Sequence, residues 1–176
     1  MFERCEKWSG HTGPGHWPDC DMLPLGHIGI RSVEAGGGDR WTRFTKEEQV
    51  TMMTLWSIFR SPLMFGGELR DNDEWTLSLL TNKEVLDINQ HSRSNRLVYR
   101  KDDQVVWTAR DDDDHTFLAL FNIGDETVTL QVTLEQLHLS SGKRVRDLWK
   151  QEEMGQVEDV IEQTLHPHGS MLLKLY

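Results

Sequence analysis

The spacing of apolar residues changes near residue 93, and this change limits the architecture that the chain can adopt. Before it, apolar side chains recur at helical spacing between loops rich in Gly and Pro. After it, short stretches that alternate apolar and polar residues follow one another, with turn residues between them. The clearest of these stretches are 97–99, 105–107, 117–121, 128–132 and 171–175. We therefore predict two domains, residues 1–92 and residues 93–176, of which the second is an antiparallel β-sandwich.

A capping box marks the start of the main predicted helix. Thr45 can accept a hydrogen bond from the amide of Glu48, and the Glu48 carboxylate can accept one from the amide of Thr45. The apolar residues that follow at helical spacing are Val50, Met53, Trp56 and Phe59. The pair Ser61-Pro62 predicts the end of this helix.

Two further elements are predicted in the first domain. Residues 63–65 are apolar and are followed by Gly66 and Gly67, which predicts a short buried strand. Residues 71–73 lead into a second helical stretch that runs through Leu80.

The composition argues against several classes of function. Hydrophobic residues at 37% and charged residues at 27% are typical of a soluble globular chain. No apolar run is long enough to span a bilayer, and residues 1–7 lack the apolar core of a signal peptide. A formal net charge of −10 would repel nucleic acid phosphates and suits a neutral ligand. We therefore predict neither a nucleic acid nor a membrane partner.

The two cysteines do not form a disulfide framework. Cys5 and Cys20 are far enough apart to close a loop, but a single pair does not indicate a disulfide-stapled domain. We favour free thiols, and the sequence leaves their pairing open.

Residues 13–23, which we call the site loop, concentrate side chains suited to binding a sugar. Asp19 and Asp21 would project to the same side of an extended segment, and Trp17 offers a flat apolar face for a sugar ring. The flanking Gly and Pro residues favour a loop at a strand end. The alternative is an Asp-rich turn whose carboxylates accept hydrogen bonds only from nearby backbone amides.

Other clusters are interpreted as structural. Residues 36–39 lack the Gly-Lys-Ser/Thr of a phosphate loop and are predicted to be a flexible loop. Residues 111–114 lack the Gly and Glu of an EF-hand and are predicted to be a solvated turn. Residues 166–168 carry two His around a Pro without a third ligand nearby. Trp107 and Trp149 of the second domain are expected to pack in the core or between the domains rather than bind sugar. We predict no cofactor and no metal.

The site loop also carries a family resemblance. Its sequence GHWPDCDMLPLG resembles the GGWNDPDML segment of the melibiases, the α-galactosidase family of retaining glycoside hydrolases, glycoside hydrolase family 27. Further segments resemble the family's segments in the same order: residues 47–49, 55–56, 61–70, 84–90, 118–125 and 145–149. The last two of these resemble the family's C-terminal β-domain. An ordered series of this kind is more specific than any single motif.

The resemblance implies an α+β fold that comprises the C-terminal quarter of a (β/α)8 barrel, residues 1–92, followed by the β-sandwich, residues 93–176. A complete barrel needs about 250 residues, and this chain has 176. The implied parent is an exo-α-galactosidase that hydrolyses terminal α-galactosyl or related residues. Its nucleophile and acid/base would lie upstream of this chain, and Met1 would be an internal methionine of the longer enzyme. We therefore expect the isolated polypeptide to be inactive.

By the same resemblance, Asp21 and Met22 line the substrate pocket, with Trp17 and Asp19 as neighbours. Cys20 stands where the family has Pro, so a fixed φ between the two aspartates is lost. Residues 32–41 look like an insertion near the pocket mouth.

The partner implied by the resemblance is a carbohydrate, and the sequence leaves galactose, N-acetylgalactosamine and arabinopyranose open. A partial barrel exposes strand edges and an apolar wall, which a missing N-terminal barrel segment or further copies of the chain would cover. The alternative function is a non-catalytic module for structure, sugar binding or oligomerisation.

Overall fold

The computed structural model describes residues 1–31 and 37–176, and these form a helical layer packed on a β-sandwich. The helices are α1 (Phe2–Trp8), which continues as a 3-10 turn (Ser9–His11), α2 (Lys46–Phe59), α3 (Glu74–Leu80) and α4 (Lys83–His91). The strands are β1 (His27–Ile28), β2 (Arg40–Trp41), β3 (Arg93–Lys101), β4 (Gln104–Arg110), β5 (Thr116–Asn122), β6 (Val128–Thr133), β7 (Lys143–Asp147), β8 (Glu152–Val157), β9 (Val160–Leu165) and β10 (Ser170–Leu175). None of the described helices has the length and apolar character needed to cross a membrane.

The predicted capping box is confirmed at the start of α2. The Thr45 Oγ1 atom accepts a hydrogen bond from the Glu48 amide at 3.2 Å, and the Glu48 carboxylate accepts one from the Thr45 amide at 2.7 Å. The helix stops where Arg60 adopts a left-handed conformation with a φ of 63°. Every residue of α2 from Met52 to Phe59 is buried, because the helix packs between the site loop and the β-sandwich.

Removal of the cap should destabilise the chain measurably. We expect Thr45→Ala to lower the free energy of unfolding by about 1 kcal/mol, because the Glu48 amide loses its acceptor at the N-terminus of α2. Urea denaturation followed by circular dichroism measures this. Thr45→Ser, which keeps the hydroxyl, should lie close to the parent chain. Equal losses in the two variants would contradict the cap assignment.

The sandwich consists of two antiparallel sheets. A six-stranded sheet has the order β3-β4-β5-β10-β7-β8, and a two-stranded sheet pairs β6 with β9. All five predicted strand stretches lie within β3, β4, β5, β6 and β10. The α+β fold class with an antiparallel sandwich is therefore confirmed.

Strand β5 lies between two apolar clusters and is buried along its whole length. Phe117, Ala119 and Phe121 belong to the cluster that faces α2 and α4. Leu118 and Leu120 belong to the cluster between the two sheets. This division follows from the alternation of side chains along a strand.

Polar contacts also join the helical layer to the sandwich. The Trp149 indole N–H donates to Thr54 Oγ1 at 2.8 Å, and the Thr51 hydroxyl donates to the His168 carbonyl at 2.7 Å. The sandwich thus holds α2, the helix that also contacts the site loop. Trp107 is 1% exposed, and Trp149 packs against the same apolar cluster. The prediction that Trp107 and Trp149 pack rather than form an open surface is therefore confirmed.

The buried strand predicted over residues 63–65 is wrong. This segment makes one parallel bridge, Phe65 with Leu23, and the Met64 side chain is 57% exposed. The Leu23 amide donates to the Met64 carbonyl at 2.7 Å, and the Gly66 amide donates to the Leu23 carbonyl at 2.9 Å. Among the described residues the segment gains no second neighbouring strand, and an apolar sequence alone does not produce a buried strand without one.

Candidate functional site

The site loop forms one wall of an open cavity of about 980 Å³. Residues of α1 and of the 3-10 turn that follows it also line the space, together with Phe59 from the end of α2. The site-loop residues that line it are Gly15, His16, Trp17, Pro18, Asp19, Cys20 and Asp21. The cavity volume is sufficient for a monosaccharide with room for its leaving group.

The two aspartates lie on a turn and not on an extended segment, so that expectation is wrong at Asp21, whose φ is 80°. The Asp21 amide donates to Asp19 Oδ1 at 2.7 Å, and the Met22 amide donates to Asp21 Oδ1 at 2.7 Å. An Asp carboxylate readily accepts the amide two residues ahead, and Asp tolerates left-handed backbone. These hydrogen bonds match the alternative prediction, an Asp-rich turn whose carboxylates accept from nearby backbone amides. Both side chains are exposed, and the second oxygen of each accepts no hydrogen bond from the described residues.

Hydrogen bonds with the C-terminal end of α2 and the residues after it fix the backbone of the turn. The Trp56 indole N–H donates to the Asp21 carbonyl at 3.1 Å, and the Cys20 amide donates to the buried Ser61 hydroxyl at 2.9 Å. Sequence reasoning did not predict these anchors. The one sequence signal for these contacts is Ser61, a small polar residue that follows the apolar helix α2.

Trp17 is held by a cation–π contact. The guanidinium carbon of Arg60 lies 4.0 Å from the centroid of the Trp17 ring, so one face of the ring is covered. The same guanidinium donates to the carbonyls of Asn89 at 2.9 Å, Gln90 at 2.7 Å and Ser92 at 2.5 Å. Burial lowers the pKa of Arg60. Arg60 therefore fixes the Trp17 ring to the end of α4.

Met22 is separated from the other three predicted site residues. Its side chain is 56% exposed and lies beside the backbone of Gly66. It is not among the described residues that line the cavity. The structure thus brings Trp17, Asp19 and Asp21 to one cavity and places Met22 beyond its edge.

A second polar cluster, unpredicted from the sequence, surrounds His27. Its Nδ1 lies 2.5 Å from Asp71 Oδ2, its Nε2 contacts Asp39 Oδ1, and its ring stacks on Trp41 at a centroid distance of 5.4 Å. Hydrogen bonds to Asp39 and then to Asp71 raise the pKa of His27. Both ring nitrogens can donate to carboxylates only in the protonated form. Residues 32–36, which are half of the predicted insertion and include the first Gly of the predicted flexible loop 36–39, lie outside the described residues.

The His27 cluster predicts a pH dependence. Because the folded pKa of His27 is raised, its ion pairs stabilise the fold below the unfolded pKa of about 6.5 and are lost as the pH rises through the folded pKa. We expect Asp71→Asn to lower the pKa of His27 measured by NMR titration of the ring carbons. An unchanged titration in this variant would contradict the assignment of Asp71 as a partner.

The acidic stretch 111–114 is more ion-paired than a solvated turn would be. Asp111 Oδ2 lies 2.8 Å from Lys174 Nζ and 2.9 Å from His115 Nδ1. Desolvation raises the pKa of Asp111, but the hydrogen bonds from Lys174 and His115 outweigh it and bring the pKa to about 2. Asp114 pairs with Arg110 at 3.0 Å. These contacts explain the stretch as a structural turn.

Comparison with known families gives two matches. The family model described as alpha galactosidase A matches residues 1–91. The family model described as alpha galactosidase C-terminal beta sandwich domain matches residues 101–175.

Individual relatives agree with these matches. Alpha-galactosidase 2 of Arabidopsis thaliana is 28% identical over 179 residues, which cover 99% of this chain and 42% of the relative. The crystal structure of a GH27 β-L-arabinopyranosidase from Geobacillus stearothermophilus is 59% identical with a TM-score of 0.96, covering 99% of this chain and 40% of that chain. Alpha-galactosidase I from Mortierella vinacea is 27% identical with a TM-score of 0.80, covering 97% of this chain and 42% of that chain. The chain thus spans less than half the length of these relatives.

Proposed function

Because the chain belongs to the alpha galactosidase A family of glycoside hydrolases, we propose that it forms the C-terminal part of a retaining exo-glycosidase that removes terminal α-galactosyl or closely related residues from carbohydrates. The observation that carries this proposal is the turn that presents Asp19 and Asp21 beside Trp17 on one wall of the cavity. Exposed carboxylates next to an aromatic ring are suited to the hydroxyls and the apolar face of a sugar. The family match does not favour the alternative of a non-catalytic module.

In this proposal the site loop binds the sugar and does not cleave the glycosidic bond. A retaining glycosidase needs two carboxyl groups about 5 Å apart on opposite sides of that bond. Asp19 and Asp21 are joined through one turn and approach the cavity from the same wall. We therefore assign the nucleophile and the acid/base to a polypeptide segment outside residues 1–176.

Each predicted residue then has a binding role. The unbonded oxygens of Asp21 and Asp19 accept hydrogen bonds from sugar hydroxyls, and Trp17 supplies an apolar wall. Met22 contacts the substrate from the cavity edge once the rest of the pocket surrounds it. Residues 1–92 would thus contribute pocket wall, while residues 93–176 would hold α2, and through it the site loop, in place.

The proposed catalytic segment would also cover exposed apolar side chains. Trp8 is 56% exposed, Met64 57% and Leu69 73%. Isolated exposed residues are common, but Trp8 lines the cavity itself. We propose that the catalytic segment, and not a second copy of this chain, packs here.

A β-L-arabinopyranoside is the second candidate substrate. The enzyme from Geobacillus with this activity is 59% identical, whereas the Arabidopsis alpha-galactosidase is 28% identical. A β-L-arabinopyranoside has the ring hydroxyl arrangement of an α-galactoside but lacks the hydroxymethyl group. The same aspartates can therefore bind either sugar.

The isolated chain and a chimera together test the proposal. We expect the 176-residue chain alone to release no aryl leaving group above buffer from an α-galactoside or a β-L-arabinopyranoside. The part of the Geobacillus enzyme that this chain does not cover, about 60% of its length, is fused to residues 1–176 and assayed with both substrates. Turnover of either sugar by the fusion supports the proposal. Turnover by the chain alone, or an inactive fusion that melts cooperatively, would contradict it.

A further inference from the structure

The two cysteines of the chain meet at the base of the candidate cavity. Cys5 lies on α1 and Cys20 on the site loop, and their Sγ atoms are 3.7 Å apart. Both are free thiols, 1% and 5% exposed, yet both are among the residues that line the cavity. The cavity therefore gives a small reagent a route to a thiol pair that is otherwise buried.

We propose that Cys5 and Cys20 are a reversible redox modification site, at which exchange with a small-molecule disulfide such as oxidised glutathione forms an intramolecular disulfide that ties the site loop to α1. The sulfur atoms are already close enough that only a small side-chain movement is needed to bond them. The Cys20 backbone is fixed independently by its hydrogen bond to Ser61. The bond would thus fasten α1 to the anchored part of the site loop.

The exchange proceeds in two balanced steps. The Cys20 thiolate attacks one sulfur of oxidised glutathione, the small disulfide breaks, and one glutathione leaves as a thiolate. The Cys5 thiol then loses its proton and attacks Cys20 Sγ in the mixed disulfide, which releases the second glutathione. Two protein thiols are oxidised and one small disulfide is reduced to two thiols.

The local electrostatics favour this order of attack. A hydrogen bond from the Cys5 thiol lowers the pKa of Cys20, with a further contribution from Ser61. The pKa of Cys5 is raised, first by its hydrogen bond with Cys20 and then by burial. Cys20 is therefore the thiolate that forms first and Cys5 the thiol that resolves the mixed disulfide.

The bond would stabilise both the fold and the site loop. A cross-link between residues 15 positions apart removes loop-closure entropy from the unfolded chain. For a chain of this size we expect Tm to rise by about 6–12 °C on oxidation. The wall that carries Asp19 and Asp21 would also lose its freedom to move relative to α1.

Equilibration of the 176-residue chain in glutathione redox buffers tests the proposal. After acid quenching and alkylation, mass spectrometry should show a species that carries neither alkyl groups nor glutathione, is about 2 Da lighter than the unalkylated reduced chain and contains a linked peptide with Cys5 and Cys20. The equilibrium constant for its formation should be at least about tenfold larger in native buffer than in urea, because folding holds the thiols together.

Two matched variants serve as controls. Cys5→Ser keeps the attacking thiol, so it should take up one glutathione and show no rise in Tm. Cys20→Ser keeps only the resolving thiol, which is 1% exposed, so it should take up less glutathione and also show no rise in Tm. A wild-type chain that carries glutathione on both cysteines would overturn the proposal. The proposal would also be overturned if the equilibrium constant for disulfide formation were no larger in native buffer than in urea. This outcome counts against it for a fully folded and for a partly folded chain.

Discussion

Replacement of Asp21 by alanine in the chimeric enzyme is expected to lower kcat/KM by at least about 100-fold. A hydrogen bond to a charged group contributes about 1.5–3 kcal/mol, and a factor of ten corresponds to about 1.4 kcal/mol. The variant also loses the acceptor of the Met22 amide and places Ala at a φ of 80°. The measurement is the rate of aryl glycoside hydrolysis at substrate concentrations well below KM.

Asp21→Asn separates the charge from the fold of the turn. Asn retains an oxygen for the Met22 amide and tolerates left-handed backbone, so the turn should persist while the charged acceptor is lost. We expect a loss of at least about tenfold for this variant. Asp113→Ala, an exposed position in the second domain, is the control and should be unchanged. Full activity of Asp21→Asn would show that Asp21 serves the turn alone.

Trp107→Ala is expected to cause the largest loss of stability, about 3–5 kcal/mol. The ring is 1% exposed and meets Phe59 edge-on at a centroid distance of 5.9 Å, so its removal leaves a cavity between β4 and α2. Urea denaturation followed by tryptophan fluorescence and circular dichroism gives the change in the free energy of unfolding.

Trp107→Phe is the matched comparison. The indole N–H is buried and has no acceptor among the described residues, so Phe removes an unpaired donor together with part of the ring. We expect this variant to lose less than about 1.5 kcal/mol. A loss as large as that of the alanine variant would mean that the N–H is bonded after all.

The strongest local signals in the sequence were sufficient to predict helices α2 and α3 and strands β3, β4, β5, β6 and β10. The capping box at Thr45 and the alternation in β5 each specify their structure through neighbouring residues alone. Strands β7, β8 and β9 were not predicted from alternation. Every residue of β8 except Val157 is exposed, so it carries no buried face that could be recognised in the sequence. The boundary between domains at residues 92 and 93 stays a prediction.

The candidate site was predictable in composition but not in geometry. Trp17, Asp19 and Asp21 were expected on one loop, and the structure places them on one cavity wall. The turn at Asp21 and its anchors were missed because Trp56 and Ser61 reach the loop from 35 and 41 residues away in the chain. Contacts over such distances depend on how α2 packs, which no local pattern specifies. The assignment of these residues to sugar binding therefore rests on the kinetic experiments above.

The position of β5 between two apolar clusters has a consequence for how the molecule melts. One backbone segment carries Phe117, Ala119 and Phe121 into the cluster under the helices and Leu118 and Leu120 into the cluster between the sheets. If one cluster loses its packing, β5 loses the contacts on one of its two faces. The other cluster, which also contains β5 residues, is then destabilised. The helical layer and the sandwich should therefore unfold as one cooperative unit despite their different architectures. A destabilising change far out in the sandwich would then loosen the site loop through equilibrium unfolding alone, without any direct contact.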